Sequence, residues 1–131
     1  MLVALDEVGE RVGLSSNACW RRIKRLEEAG VIARRVALLD ADKLGLATTV
    51  FVAIRAGRHD QAWLNAFSRG IAGIDEVIEC RRLFGIPDYF IRVAVKDLAT
   101  YENFMVTKLS GLPAVSRVTS LITMKTIKSV D

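Results

Sequence analysis

From Thr48 onward the spacing of apolar residues switches repeatedly between two and three-to-four, which limits the fold more than any other feature of the chain. Thr48 to Arg55 is rich in β-branched and aromatic residues and reads as a strand. Gln61 to Ile71 places Leu64, Phe67 and Ile71 on one side of a helix. Val77 to Leu83 reads as a strand, Phe84 to Tyr89 must turn at Gly85 and Pro87, and Phe90 to Val95 returns as the next strand. Asp97 then caps a helix whose stripe is Leu98, Tyr101, Met105 and Leu109, stopped by Gly111 and Pro113. Val115 to Ile127 supplies a last long strand. The order βαββαβ is that of an α+β, ferredoxin-like sandwich.

Such a sandwich covers one face of its sheet with helices. Here the first strand is apolar on both faces, with Val50, Val52 and Ile54 on one and Phe51 and Ala53 on the other. A lone copy would leave apolar surface in water, so the pattern predicts homo-oligomers through the sheet, a two-fold dimer first.

The segment before Gly45 is built differently. Leu2 to Arg11 carries Leu2, Leu5 and Val8 at helical spacing, continued by Val12, and Gly13-Leu14-Ser15 breaks the helix. Ser15 is a natural N-cap for a second helix from Ser16 to Ala29, and Gly30 suits its end. Arg34 to Leu39 reads as a short strand or wing, and Asp40 to Gly45 as a hinge. We therefore expect two domains, residues 1–45 and 46–131.

Charge is concentrated in the first of them. The 131 residues carry a net +4, yet Arg11 to Val36 alone holds seven basic and two acidic side chains, leaving the remainder slightly negative. In the second helix Cys19, Ile23 and Leu26 share one face, Asn17, Arg21, Lys24 and Arg25 the other, and Trp20 the flank. Two helices joined by a tight turn, the second basic on its polar face, fit a helix-turn-helix. On that reading Asn17 and Arg21 are suited to base edges, while Ser16, Arg22, Lys24 and Arg25 meet phosphate. Arg34 and Arg35 add backbone contacts from the wing. A helical hairpin with a solvated basic face is the plainer alternative.

The run Gly13-Leu14-Ser15-Ser16-Asn17-Ala18-Cys19-Trp20-Arg21-Arg22-Ile23-Lys24-Arg25-Leu26-Glu27-Glu28-Ala29-Gly30-Val31-Ile32 closely resembles the reading head of the Lrp/AsnC transcription regulators. Leu39-Asp40 and Lys43-Leu44-Gly45-Leu46 echo the family's hinge. Gly85-Ile86-Pro87-Asp88-Tyr89 and Leu112-Pro113-Ala114-Val115 resemble parts of its amino-acid-sensing domain. The resemblance covers nearly the whole chain.

It implies a sequence-specific regulator of double-stranded DNA that answers to a small effector, an amino acid, and forms dimers that assemble into octamers. Carried over by position, Gly85, Asp88 and Tyr89 line the effector site and face Thr119, Ser120 and Leu121 of a neighbouring chain. A carboxylate for the ammonium and amide or hydroxyl donors for the carboxylate suit such a ligand. An ordinary Pro-Asp turn with a packed tyrosine remains the alternative there. The resemblance departs at the start, because the family's head opens with a further helix before this pair. That helix lies upstream of Met1, or another chain covers the same apolar surface, or the head is weakened; the expectation is weak DNA binding by these 131 residues.

Other chemistry is excluded more simply. A single histidine, His59, cannot build a three-histidine metal site, and no nucleophile-base pair or phosphate-cradling loop is visible, so no enzyme, metal or cofactor is expected. Cys19 and Cys80 stand 61 positions apart and read as small buried residues of a reducing compartment. No apolar run reaches the roughly 18 residues of a membrane span, so a cytoplasmic protein is expected. Two rivals stay open: an effector-binding module that modulates partner regulators without reading DNA, and an enzyme on the same scaffold.

Overall fold

The computed structural model describes residues 4–112 and 115–129. The chain divides into two compact units that part between Leu39 and Asp40. That is earlier than the expected boundary near Gly45. The hinge is a folded turn that leads straight into the second unit: the Asp40 carboxylate accepts from the amides of Asp42 and Lys43, and the Leu46 amide donates to the Ala41 carbonyl.

The first unit is a helical pair, α1 (Leu5–Val12) and α2 (Ser16–Glu28). The Ser15 hydroxyl accepts from the Ala18 amide at 3.2 Å, which is the cap expected from sequence. At the other end the Val31 amide donates to the Leu26 carbonyl and the Gly30 amide to the Glu27 carbonyl, with Gly30 at φ 76°. These two hydrogen bonds close the helix, and they need a residue free to take the left-handed conformation.

Gly9 fixes how tightly the two helices turn. The Leu14 amide donates to the Gly9 carbonyl at 2.8 Å, and a Cβ on Gly9 would lie 2.2 Å from the Leu14 carbonyl oxygen. Sequence periodicity did not single this glycine out. Arg34 to Leu39, expected as a strand or wing, forms no strand. All six residues are exposed, and no described strand of this unit offers them a ladder partner.

The second unit runs β1 (Thr48–Ala56), α3 (Gln61–Ala72), β2 (Val77–Arg82), β3 (Tyr89–Val95), α4 (Leu98–Phe104) and β4 (Val115–Ile122). The strands form one antiparallel sheet in the order β2-β3-β1-β4, as the βαββαβ reading requires. Asp60 caps α3 by accepting from the Trp63 amide, and Asp97 caps α4 by accepting from the Thr100 amide, each at 2.8 Å.

The core lies between the helices and one face of the sheet. Val50, Val52, Ile54, Ile91, Val93 and Val95 meet Trp63, Phe67, Ile71, Tyr101, Phe104 and Leu109 there, all buried. Two expectations shift. The stripe of α4 is Tyr101, Phe104 and Leu109, with Met105 partly buried against the core as expected, and the helix widens into a π turn at Met105–Leu109; Leu98, in the first turn beside the cap, stays exposed. And β4 stops at Ile122 rather than Ile127, because it pairs only with β1. Its last contacts are Ile122 against Val50 and the Thr123 amide to the Thr49 carbonyl.

Period-two alternation fixes which residues look away from the helices. They are Phe51, Ala53 and Arg55 on β1, Phe90 and Arg92 on β3, and Arg117, Thr119 and Leu121 on β4. Phe51 and Phe90 stack at 5.5 Å on this face and are only half-buried.

Candidate nucleic-acid interface and effector site

Cys19 is buried in the first unit and Ile23 partly so, which turns the opposite side of α2 outward. That side presents Asn17, Arg21, Lys24 and Arg25, all exposed, with Arg22 exposed on a flank and Ser16 partly covered in the first turn. Among the described residues none of these four cations forms an ion pair. Trp20 is half-exposed, and the Lys24 ammonium rests 5.5 Å from its ring centroid. This cation–π contact steadies a long side chain without neutralising it. Arg35 is engaged differently, with its guanidinium donating to the Glu27 carboxylate. Arg34 is exposed.

The expected effector residues sort onto two sides of the sheet. Thr119 and Leu121 lie on the open face, where Thr119 lines a groove of about 220 Å³ with Ala53, Arg55, Ile86, Pro87 and Arg117. Ser120 points the other way: its hydroxyl meets that of Tyr101 under α4. Tyr89 is buried beside Phe67 and Trp63, ring centroids 4.4 and 5.9 Å away, and burial pushes its phenol above the ordinary value. It walls a separate groove of about 450 Å³ between α3 and β2, with Leu64, Phe67, Cys80 and Arg82.

Gly85 is exposed in the turn between β2 and β3, and Asp88 is half-buried at its end. The Asp88 carboxylate accepts from the Ala56 amide at 2.9 Å, while its own amide donates to the Ile54 carbonyl. His59 approaches the same carboxylate at 3.9 Å. The aspartate thus anchors the turn to the end of β1 and keeps its second oxygen toward the loop after that strand.

Cys19 is buried as expected. Cys80 is half-buried in β2, and desolvation pushes its thiol above the ordinary value. Among the described residues no group of three His, Cys, Asp or Glu side chains could hold a metal ion, and no helix is long and apolar enough to cross a membrane.

Comparison with known proteins agrees with this division of labour. Residues 4–33 match a winged helix-turn-helix DNA-binding model, and residues 49–130 match the Lrp/AsnC ligand binding domain. The chain is 43% identical over 124 residues to the glutamate uptake regulatory protein of Zymomonas mobilis, covering 95% of this chain and 75% of that protein. Among solved structures, an AsnC family transcriptional regulator from Agrobacterium tumefaciens is 42% identical and superposes with a TM-score of 0.83, covering 97% of this chain and 82% of that one. A transcriptional regulator from Neisseria meningitidis, solved with L-methionine, superposes at 0.85 with 28% identity over the same shares.

Proposed function

The chain belongs to the Lrp/AsnC family of transcriptional regulators, and from that premise we propose how its residues divide the work. Asn17 and Arg21 read base edges in the major groove. Ser16, Trp20, Arg22, Lys24 and Arg25 hold the phosphate backbone, with Arg34 and Arg35 following it on the exposed segment after α2. The observation that carries this reading is the outward face of α2, where four cations stand without an acidic partner among the described residues.

The second unit binds a small effector, an amino acid, as the methionine complex of the Neisseria relative supports. Its contacts come from Gly85 and Asp88 at the turn and from Thr119 and Leu121 on the open face of a neighbouring copy. Tyr89 and Ser120 back these positions from the helix side. The half-buried Phe51–Phe90 stack supports dimerisation through that face, and further assembly into octamers brings turn and strand of different copies together. Such a regulator works in the cytoplasm, where the DNA is.

Retention on duplex DNA as a function of salt tests the reading. Each phosphate neutralised contributes about 0.9 to the slope of log affinity against log salt. A steep slope that flattens when α2 loses its cations is expected. Salt-independent or absent retention would leave the chain an effector module only.

A further inference from the structure

Arg55 on β1 and Arg117 on β4 are direct register partners, both exposed on the face turned away from the helices. Like charges directly opposite one another weaken a sheet. Elsewhere on this face each arginine has an acidic partner, since Arg81 and Arg92 share Glu79 at 2.7 and 3.6 Å. Among the described residues no carboxylate pairs with Arg55 or Arg117.

The surroundings of this pair form a receptacle. Both arginines line the 220 Å³ groove with Ala53, Thr119, Ile86 and Pro87. Ala53, directly opposite Thr119 in the ladder, keeps its floor low, and the Thr119 side chain is exposed beside it. The register slips between Arg55 and Ala56, and at that slip the Ala56 amide turns to the Asp88 carboxylate. Such irregularities commonly re-aim side chains beside binding sites. The groove therefore sets two unpaired guanidinium groups beside Thr119, the strand position that would meet the effector.

We propose that Arg55 and Arg117 are the specificity-determining end of the effector site, and that the effector is an amino acid with an acidic side chain. The assignment rests on the amino-acid-sensing reading of this unit and narrows it. Guanidinium groups hold a carboxylate through paired, charge-assisted hydrogen bonds. A neutral side chain in the same groove leaves two like charges facing each other with nothing between them.

Isothermal titration of the 131-residue chain with isosteric pairs, L-glutamate against L-glutamine and L-aspartate against L-asparagine, decides the matter. One acid is expected to bind at least about tenfold more tightly than its amide, the margin of one charge-assisted bond. In R55Q and R117Q that ratio should fall toward one, with R117K keeping part of it, circular dichroism unchanged and melting no lower, since the opposed charges are relieved. Equal binding of acid and amide, or an undiminished ratio in R117Q, overturns the proposal. So does an R117Q chain whose mass by light scattering changes while its glutamate affinity does not, since the pair then serves a second copy. L-methionine and L-leucine complete the panel: if they bind and the acids do not, only this assignment fails. If no amino acid binds, the sensing reading fails with it.

Discussion

The Ser120 hydroxyl lies 2.5 Å from the Tyr101 hydroxyl and 3.5 Å from the Met105 sulfur, joining β4 to the helix above it. Ser120 is therefore a packing residue of the helix side, although it sits between two residues of the open face. Ser120→Ala strands a buried tyrosine hydroxyl, with only the Met105 sulfur at 3.6 Å left to it. A loss of about 1–3 kcal/mol in urea unfolding is expected. Adding Tyr101→Phe should return part of it. Effector affinity should fall with Thr119→Ala and not with Ser120→Ala.

Gly9→Ala tests the helical pair. The added methyl meets the Leu14 carbonyl, a backbone atom that cannot step aside without opening the turn into α2. Overpacking of this kind costs about 1–3 kcal/mol. The two-dimensional amide spectrum should lose dispersion for residues 5–28 only, and DNA retention should weaken. An unchanged spectrum would show that the close approach is not required.

Arg21→Ala and Lys24→Ala should separate base reading from phosphate holding. Loss of Arg21 should cost about 1–3 kcal/mol and relax selectivity at one base position. Loss of Lys24, whose ammonium lies over Trp20, should weaken binding to all sequences alike and lower the salt slope by about one. Identical behaviour of the two variants in competition shifts would remove the distinction.

Lys108 sets an acid limb on stability. Its ammonium donates to both Glu76 oxygens at 2.7 and 2.8 Å, and this bond holds the Glu76 carboxyl below its ordinary value of 4.5. A carboxyl depressed in the folded state stabilises above that ordinary value, and the contribution is lost as pH falls through the depressed one. The melting temperature should thus decline below about pH 4.5. Glu76→Gln should shallow this decline without abolishing it, because the caps Asp60 and Asp97 are depressed for the same kind of reason. An unchanged acid limb in Glu76→Gln would exclude the pair as a contributor.

Local periodicity carries most of the architecture. A cap such as Ser15 and a left-handed terminator such as Gly30 act through neighbours within a few residues, and both sit where the linear chain implied. The alternation Val50, Val52, Ile54 against Phe51, Ala53 likewise fixes two faces before any partner is known. The effector positions were less legible. Gly85, Asp88, Tyr89, Thr119, Ser120 and Leu121 read as one set, yet Tyr89 and Ser120 face the helices, because adjacent strand residues must point to opposite sides.

What the linear order of residues determined is the choice and sequence of elements, and the concentration of positive charge on one short helix. Each of those follows from interactions between near neighbours. Only the packed chain decided that Arg55 faces Arg117 across 62 positions, that Gly9 leaves room for the Leu14 carbonyl, and that the pairing of β4 with β1 ends at Ile122 against Val50. Register depends on residues far apart in the chain, and the Gly9–Leu14 approach on how the turn between two helices closes; apolar spacing encodes neither.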